Sequence, residues 1–201
     1  MKYTRVWQTA LSKKYGVTES SRIISKARSF YHDYSSQLSN NLDSNSRGIL
    51  QKRVLPGLSI YQALQGHEDS DEAILQEVEK LFKRAFFEWM IHGIRLINLL
   101  PDPFPLIRPA LRKMIKSEYQ PGSQEIIEDS PDSFAVNVYQ CVIYDTLKAH
   151  KADELIPIFC STDDWLTEAV PKIGWQRSQT LGRGGDHCDF HWSRLRAPKS
   201  K

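Results

Sequence analysis

Residues 175–192, WQRSQTLGRGGDHCDFHW, predict a β-hairpin whose second strand carries chemically active side chains. The glycine-rich run 182–185 should reverse the chain, because glycine enters left-handed turn conformations without steric cost. Beyond it, apolar and polar residues alternate: Cys188, Phe190 and Trp192 against His187, Asp189 and His191. Since successive strand residues point to opposite faces, one face should be apolar and the other polar and titratable.

The composition of the 201 residues is that of an ordinary globular protein, with 40% hydrophobic and 25% charged residues. We expect a single domain over residues 1–201. The net charge of +3 comes from 27 basic and 24 acidic residues scattered along the chain, which argues against nucleic acid or a membrane as a partner. No apolar run approaches the ~20 residues that span a bilayer, and the first residues lack a signal-peptide core. A cytoplasmic location follows as an expectation.

The apolar residues of the first part recur at helical spacing, so we expect residues 1–120 to be mainly helical. A first short helix should end at Gly16, which can serve as its C-terminal cap. A second helix is expected from Glu19 to about Leu38. The polar segment 39–47, SNNLDSNSR, has the composition of a loop.

The pattern of residues 49–64 is interrupted by Pro56, which indicates a kinked helix or two short ones. The Asp69–Glu72 pair has capping-box spacing and should open a long amphipathic helix that ends before Pro101. Another helix is expected over residues 106–115. Its basic side, which is either simply solvated or attractive to a carboxylate substrate, consists of Arg108, Arg112, Lys113 and Lys116.

The character of the chain changes after residue 121, where strand patterns begin. Residues 125–129 and 134–141 should form a second hairpin, joined by a turn. Three short helices are expected over residues 142–150, 152–159 and 162–170, the last capped by Ser161. The predicted fold class is therefore α+β: a helical N-terminal portion packed on a small antiparallel sheet built from two C-terminal hairpins, with the candidate site in residues 121–195.

The three cysteines, Cys141, Cys160 and Cys188, all lie in the last third of the chain, without a paired CxxC. This spacing argues against a disulfide framework and a four-cysteine zinc site. A thiol needs a nearby cation, base or helix N-terminus to react at neutral pH, and Cys160 directly precedes a predicted helix start. Asp163 follows at a C-x-x-D spacing, which fits either an active pair or a buried cysteine beside a capping carboxylate.

The segment DHCDFH also raises the question of metal binding. Its spacing is not that of a standard zinc site, and strand alternation keeps Cys188 from sharing an ion with His187 or Asp189. We therefore expect no cofactor, while a divalent metal on the face of His187, Asp189 and His191 remains an alternative. No P-loop, nucleophile elbow or dinucleotide-binding glycine pattern is present.

Residues 138–192, VYQCVIYDTLKAHKADELIPIFCSTDDWLTEAVPKIGWQRSQTLGRGGDHCDFHW, resemble the L-2-amino-thiazoline-4-carboxylic acid hydrolase family. The resemblance is close from Phe134 to Trp192 and weaker at RVLPGLSIYQAL, residues 53–64. It rests on Cys141, Cys160 with Asp163, Arg177, Thr180, Leu181, Gly185, Asp186, Cys188, Asp189 and Phe190. One position departs from the family pattern, because His191 stands where the family usually carries an arginine.

The resemblance implies a hydrolase that opens a cyclic amidine at its C=N bond to give an N-carbamoyl amino acid. Cys160 or Cys188 would then attack or orient the substrate, and an acidic residue (Asp163, Asp186 or Asp189) would activate water or shuttle the proton. The expected partner is a small molecule with a carboxylate, bound by Arg177, Thr180 and His191. Homo-oligomer formation is left open. The alternative from another class is a non-catalytic small-ligand sensor or carrier of the same fold.

Overall fold

A computed structural model describes residues 1, 3–68 and 70–195. The chain divides into two compact units. The first consists of Met1–Trp89 and Thr146–Ile156, and the second of Met90–Asp145 and Pro157–Lys201. The single domain expected over residues 1–201 stays a prediction. The helical and sheet-forming parts are confirmed, and together they make an α+β protein.

The first unit begins with helix α1, Thr4–Ser36, which is interrupted at Gly16. Gly16 has φ 78° and ψ 168°, a conformation that residues with a Cβ rarely adopt, so the predicted division into two helices at this residue is confirmed. The buried side of α1 includes Trp7, whose Nε1 donates a hydrogen bond to the Leu81 carbonyl oxygen at 2.8 Å. This bond ties the first turns of the chain to a helix that follows much later.

The loop predicted over residues 39–47 is shorter than expected. Helix α2, Ser44–Ile49, begins inside it, because the Asp43 carboxylate accepts hydrogen bonds from the backbone N–H groups of Asn45 and Ser46. A π-helical turn, Leu50–Val54, then leads into helix α3, Leu55–Leu64. Pro56 stands at the start of α3, where the missing N–H is tolerated, so the segment continues as one interrupted helix.

Helix α4, Asp71–Phe82, has Ser70 as its N-cap, and Ser70 Oγ accepts a hydrogen bond from the Ala73 N–H at 3.2 Å. The prediction that Asp69 opens this helix lies outside the described residues. A second π-helical turn, Lys83–Phe87, connects α4 to helix α5, Glu88–Ile97. The core side of the stretch 71–87 consists of Ile74, Val78, Leu81, Phe82, Ala85, Phe86 and Phe87.

The second unit contains helix α6, Phe104–Glu118, and a four-stranded antiparallel sheet. In chain order its elements are strand β1, Gln124–Asp129; strand β2, Ser133–Val138; helix α7, Val142–Ala149, which crosses into the first unit; helix α8, Ile156–Glu168; strand β3, Ile173–Gln176; and strand β4, Cys188–Arg194. The strand order is β1-β2-β4-β3, which confirms both predicted hairpin pairings.

One face of the sheet carries the core of the second unit. Strand β4 alternates as predicted, since Cys188, Phe190 and Trp192 are buried and the residues between them are only partly buried. These side chains pack with residues of β2 and with helix α6: Phe134, Val136, Val138, Phe104 and Ile115. A half-open apolar cavity of about 270 Å³ lies between α5, α6, α8 and Trp192.

Two predicted boundaries around the cysteines are wrong. Strand β2 ends at Val138, so Cys141 is not a strand residue. Its carbonyl oxygen accepts the Asp145 N–H at 2.9 Å, which places Cys141 at the start of α7. Helix α8 begins at Ile156 and continues through Ser161, whose Oγ donates to the Pro157 carbonyl oxygen instead of capping a new helix. Among the described residues, no helix is both long and apolar enough to cross a membrane.

Candidate functional site

Three thiols and one carboxylate lie close together in the second unit. Cys141 directly precedes α7, Cys160 is in the second turn of α8, and Cys188 is the first residue of β4. Asp163 lies one helical turn after Cys160 on α8, which places the two side chains on the same helix face. Repulsion from Cys188 and Asp163 contributes to a raised pKa of Cys160, which shows that these groups are close enough to interact. The structure therefore groups Cys160, Asp163 and Cys188.

Burial keeps all three thiols protonated near neutral pH. It is the largest cause of the pKa of Cys141 rising to about 12 and that of Cys160 rising to about 11. Hydrogen bonds from the Ile143 and Tyr144 N–H groups oppose the rise at Cys141 but do not cancel it. Burial also raises the pKa of Cys188, against a hydrogen bond that the Leu181 N–H donates to its Sγ at 3.4 Å.

The predicted activation of Cys160 by a helix N-terminus is wrong. Cys160 is the fifth residue of α8, beyond the backbone N–H groups that a helix leaves unpaired at its start. The cations that act on it are Arg177 and Arg183, and both lower the pKa of its thiol. Their effect is smaller than that of burial, so the thiol is not a ready nucleophile.

Tyr119, directly after α6, belongs to the same cluster. Burial is the main cause of the pKa of Tyr119 lying well above its usual value. The charge of Asp163 adds to it, as do those of Cys141 and Cys188 at the high pH where their thiols ionise. Its hydroxyl therefore keeps its proton at neutral pH. No motif in the sequence marks Tyr119, and sequence reasoning missed it.

Arg177 is held by groups of its own protein. Its side chain is 4% exposed, and its Nη1 donates a hydrogen bond to the Cys160 carbonyl oxygen at 3.0 Å. Nη2 donates to Asp164 Oδ2 at 2.8 Å, while Asp163 Oδ2 lies 3.8 Å from Nη1. Asp164 also accepts a hydrogen bond from Trp175 Nε1 at 2.9 Å. Arg177 and Asp164 thus fasten the segment after β3 onto α8, a role that the sequence did not indicate for Asp164.

Asp189 has a comparable internal role. Its carboxylate accepts hydrogen bonds from the Ser178 N–H and the Gln179 N–H at 3.0 and 2.8 Å, and from Ser178 Oγ at 2.5 Å. Burial alone would raise the pKa of this carboxyl, but the hydrogen bonds from Ser178 and Gln179 outweigh burial and lower it. Strand alternation places the Asp189 side chain on the opposite face from Cys188.

Two further candidates from the sequence lie away from the thiol cluster. The Asp186 side chain is 85% exposed and pairs with His187 Nδ1 at 2.5 Å. His191 is on the polar face of β4, where its Nε2 lies 2.8 Å from Ser133 Oγ. Their predicted parts in catalysis and substrate binding stay predictions that this geometry does not favour.

The glycine-rich segment forms the expected turn, with Thr180 at its base. A 3₁₀ turn, Leu181–Arg183, is closed by Gly184 in a left-handed conformation with φ 83°. The Thr180 carbonyl oxygen accepts the Arg183 and Gly185 N–H groups, each at 3.0 Å. Thr180 is fully buried, and its Oγ1 has no hydrogen-bond partner among the described residues.

The structure of residues 1, 3–68 and 70–195 contains no ligand set of the kind that holds metal ions in proteins. Within these residues, no group of three or more His, Cys, Asp or Glu side chains is arranged to hold a metal ion.

The fold and the cluster define a class: an α+β protein in which protonated thiols and a carboxylate gather beside a glycine turn. The family model described as L-2-amino-thiazoline-4-carboxylic acid hydrolase matches residues 49–192, well over half of the chain. The chain belongs to this family, as the resemblance of residues 134–192 indicated, and the match supports a hydrolase in general. Comparisons with curated proteins and with solved structures found no match.

Proposed function

We propose that the protein hydrolyses a small cyclic amidine that carries a carboxylate, of the 2-amino-thiazoline-4-carboxylate type, to an N-carbamoyl amino acid. Membership of the hydrolase family supports the reaction class. The observation that carries the proposal is the grouping of Asp163 with the Cys160 and Cys188 thiols and the Tyr119 hydroxyl. The Asp163 carboxylate can accept a proton, and the two thiols and the Tyr119 hydroxyl can donate one. Hydrolysis of an amidine requires both a proton acceptor and a proton donor.

The proposed reaction balances with water as the only co-reactant. The water oxygen bonds to the ring carbon between nitrogen and sulfur, and the C=N double bond becomes a single bond as the ring nitrogen takes one proton. The carbon–sulfur bond then breaks, and the sulfur takes the second proton. The product contains a urea group on the amino nitrogen and a free thiol.

Asp163 is the proposed general base. Its carboxylate lies on α8 with a side chain that is 21% exposed, so water can reach it. A carboxylate so placed takes a proton from the attacking water as the oxygen bonds to carbon, a contribution of about 10²–10⁴ in rate. The role of Arg177 and Asp164 is then to hold the α8 turn that carries Asp163.

The cysteines are the proposed proton donors. Attack on carbon needs a thiolate, and the raised pKa values of Cys160 and Cys188 make thiolate scarce at neutral pH. A neutral thiol instead donates a hydrogen bond or a proton to the ring nitrogen or to the departing sulfur. Of the two roles considered for the cysteines, attacking or orienting, the second is therefore favoured.

The test is turnover of 2-amino-thiazoline-4-carboxylate by the purified protein, followed by mass spectrometry of the N-carbamoyl product. Asp163→Asn should lower kcat by about 10²–10⁴ without loss of folding. Asp33→Asn, at a carboxylate that is 59% exposed on α1, is the matched control and should retain the wild-type rate. Wild-type kcat in Asp163→Asn would remove the general base from the proposal. Binding without any product after long incubation would instead favour the sensor or carrier.

A further inference from the structure

Arg183 stands on a rigid turn next to the thiol cluster. Its backbone N–H is fixed to the Thr180 carbonyl oxygen at 3.0 Å, and Gly184 and Gly185 close the turn behind it. A Cβ on Gly185 would lie 2.7 Å from Gln179 Oε1 and 3.1 Å from the Thr180 carbonyl oxygen. Gln179 and Thr180 therefore pack closely against the turn. The side chain of Arg183 is exposed on this fixed base.

The turn is joined directly to the cluster. The N–H of Leu181, two residues before Arg183, donates its hydrogen bond to Cys188 Sγ. The positive charge of Arg183 is also among the groups that lower the pKa of Cys160 against the effect of burial. Arg183 is therefore close enough for its field to act on the thiol of α8.

Four arginines of this unit have a carboxylate partner, whereas Arg183, like the exposed Arg95 on α5, has none among the described residues. Arg177 is paired with Asp163 and Asp164, and Arg194 with Asp102 and Asp132. The two arginines of α6, Arg108 and Arg112, share Asp129. Within residues 1, 3–68 and 70–195, no carboxylate lies within ion-pair distance of the Arg183 guanidinium. The buried Oγ1 of Thr180, at the base of the same turn, is a second polar group left without a partner there.

We propose that Arg183 is the anion-recognition residue of the site and binds the carboxylate of the substrate. A guanidinium offers two parallel N–H donors that match the two oxygens of a carboxylate. That the carboxylate belongs to a cyclic amidine rests on the proposed function, whereas anion binding at Arg183 does not. Arg183 takes the role that the sequence suggested for Arg177, which is internally paired, and for His191, which lies on the other face of the sheet.

A first experiment tests anion recognition without any substrate. Iodoacetate carries a carboxylate and iodoacetamide does not, and both alkylate a thiol in proportion to its thiolate fraction. The ratio of their rates at Cys160, followed by peptide mass spectrometry, is therefore independent of the thiol pKa and reports attraction of the anion. Arg183→Gln should lower this ratio several-fold, and Arg183→Lys should retain part of it. Arg22→Gln, at a side chain that is 73% exposed on α1, should leave it unchanged. A ratio in Arg183→Gln equal to that of the wild type would overturn the proposal.

A second experiment uses turnover. With the carboxylated amidine, Arg183→Gln should raise KM about 10- to 100-fold, because the charge-assisted hydrogen bonds to the carboxylate are lost. The value of kcat should change much less. With 2-amino-thiazoline, which lacks the carboxylate, wild type and Arg183→Gln should have equal KM values. A rise in KM for both compounds would mean that Arg183 acts on the fold of the turn and not on the carboxylate. If the wild type turns over neither compound, the proposed function fails, and the alkylation ratio still decides the inference on Arg183.

Discussion

Replacing Arg177 with glutamine should destabilise the protein, because the guanidinium fastens the segment after β3 to α8. The substitution removes a charge-assisted hydrogen bond to Asp164, at 2.8 Å, and one to the Cys160 carbonyl oxygen, at 3.0 Å. It also leaves Asp163 and Asp164 without their shared cation. A glutamine is shorter and uncharged, so it restores neither of these two bonds.

The size of the effect follows from burial. Removing one partner of a fully buried ion pair costs about 3–5 kcal/mol. Here the Arg177 side chain is 4% exposed but Asp163 and Asp164 are 21% and 28% exposed, so water solvates the freed carboxylates in part. We therefore expect the free energy of unfolding to fall by about 2–3 kcal/mol, and Tm by about 4–12 °C for a chain of this size.

Urea unfolding followed by circular dichroism and tryptophan fluorescence measures this loss, with Arg22→Gln as the control that should stay within about 0.5 kcal/mol. Asp164→Asn should be less damaging on its own, and the double variant should show a coupling energy of about 1–2 kcal/mol with Arg177→Gln. A loss below about 0.5 kcal/mol together with a large rise in KM would refute the reasoning. Arg177 would then be the substrate anchor that the sequence suggested.

Three further predictions concern the thiol, the polar face of β4 and the turn. The pKa of about 11 predicts that alkylation of Cys160 by iodoacetamide rises roughly tenfold per pH unit between about pH 7 and 9, and a plateau below about pH 8 would contradict it. Asp189→Asn should cost about 1–2 kcal/mol at neutral pH. Since the folded pKa of Asp189 is lowered, this stabilisation exists above the unfolded pKa of about 3.9 and disappears as pH falls through the folded value, so the difference between the variant and the wild type should shrink steadily as the pH of the unfolding experiment is lowered below about 3.9. Thr180→Val should match or exceed the wild-type free energy of unfolding by up to about 1 kcal/mol, because it removes a buried hydroxyl that has no partner. Thr180→Ala should lower it, and a valine variant less stable than the alanine one would argue against an unpaired hydroxyl.

Burial, more than local charge, sets the chemistry of the cluster. Cys141 is at a helix start and its thiol accepts N–H hydrogen bonds, yet the pKa of Cys141 still rises to about 12. Two arginines act on Cys160, and its pKa still rises to about 11. In both cases the loss of water around the charged form outweighs the favourable groups. A site built this way suits proton donation by the thiols, and this is why the proposed mechanism assigns the base to the carboxylate of Asp163.

Several features were predictable from sequence because they depend on short-range geometry. The alternation along residues 188–192 follows from the pleat of a strand, and the break at Gly16 follows from the absence of a Cβ. The reversal at residues 182–185 has the same cause, since Gly184 takes φ 83°. The family pattern in residues 134–192 was also visible without coordinates.

The start of α8 shows where local patterns mislead. The run Ser161-Thr-Asp-Asp is typical of an N-cap, but the helix is already under way from Ile156, and Ser161 Oγ bonds back to Pro157. Pro157, in the first turn of α8, was the signal that marked the true start. A helix that has begun adds a hydrogen bond with each further residue, so an internal capping pattern does not end it.

Only the tertiary structure shows which charged groups are paired with other groups of the same protein. Arg177 bonds to Asp164 across 13 positions of sequence, and the charge of Asp163 on α8 acts on Tyr119, which directly follows α6. Neither relation has a periodicity that a sequence displays, because both depend on how separate elements of the second unit pack together. By itself the sequence determined the strands, the turn and the set of reactive residue types. Packing pairs Arg177 with carboxylates of its own protein, whereas Arg183, on the turn that the sequence predicted, has no carboxylate partner within the described part of the chain.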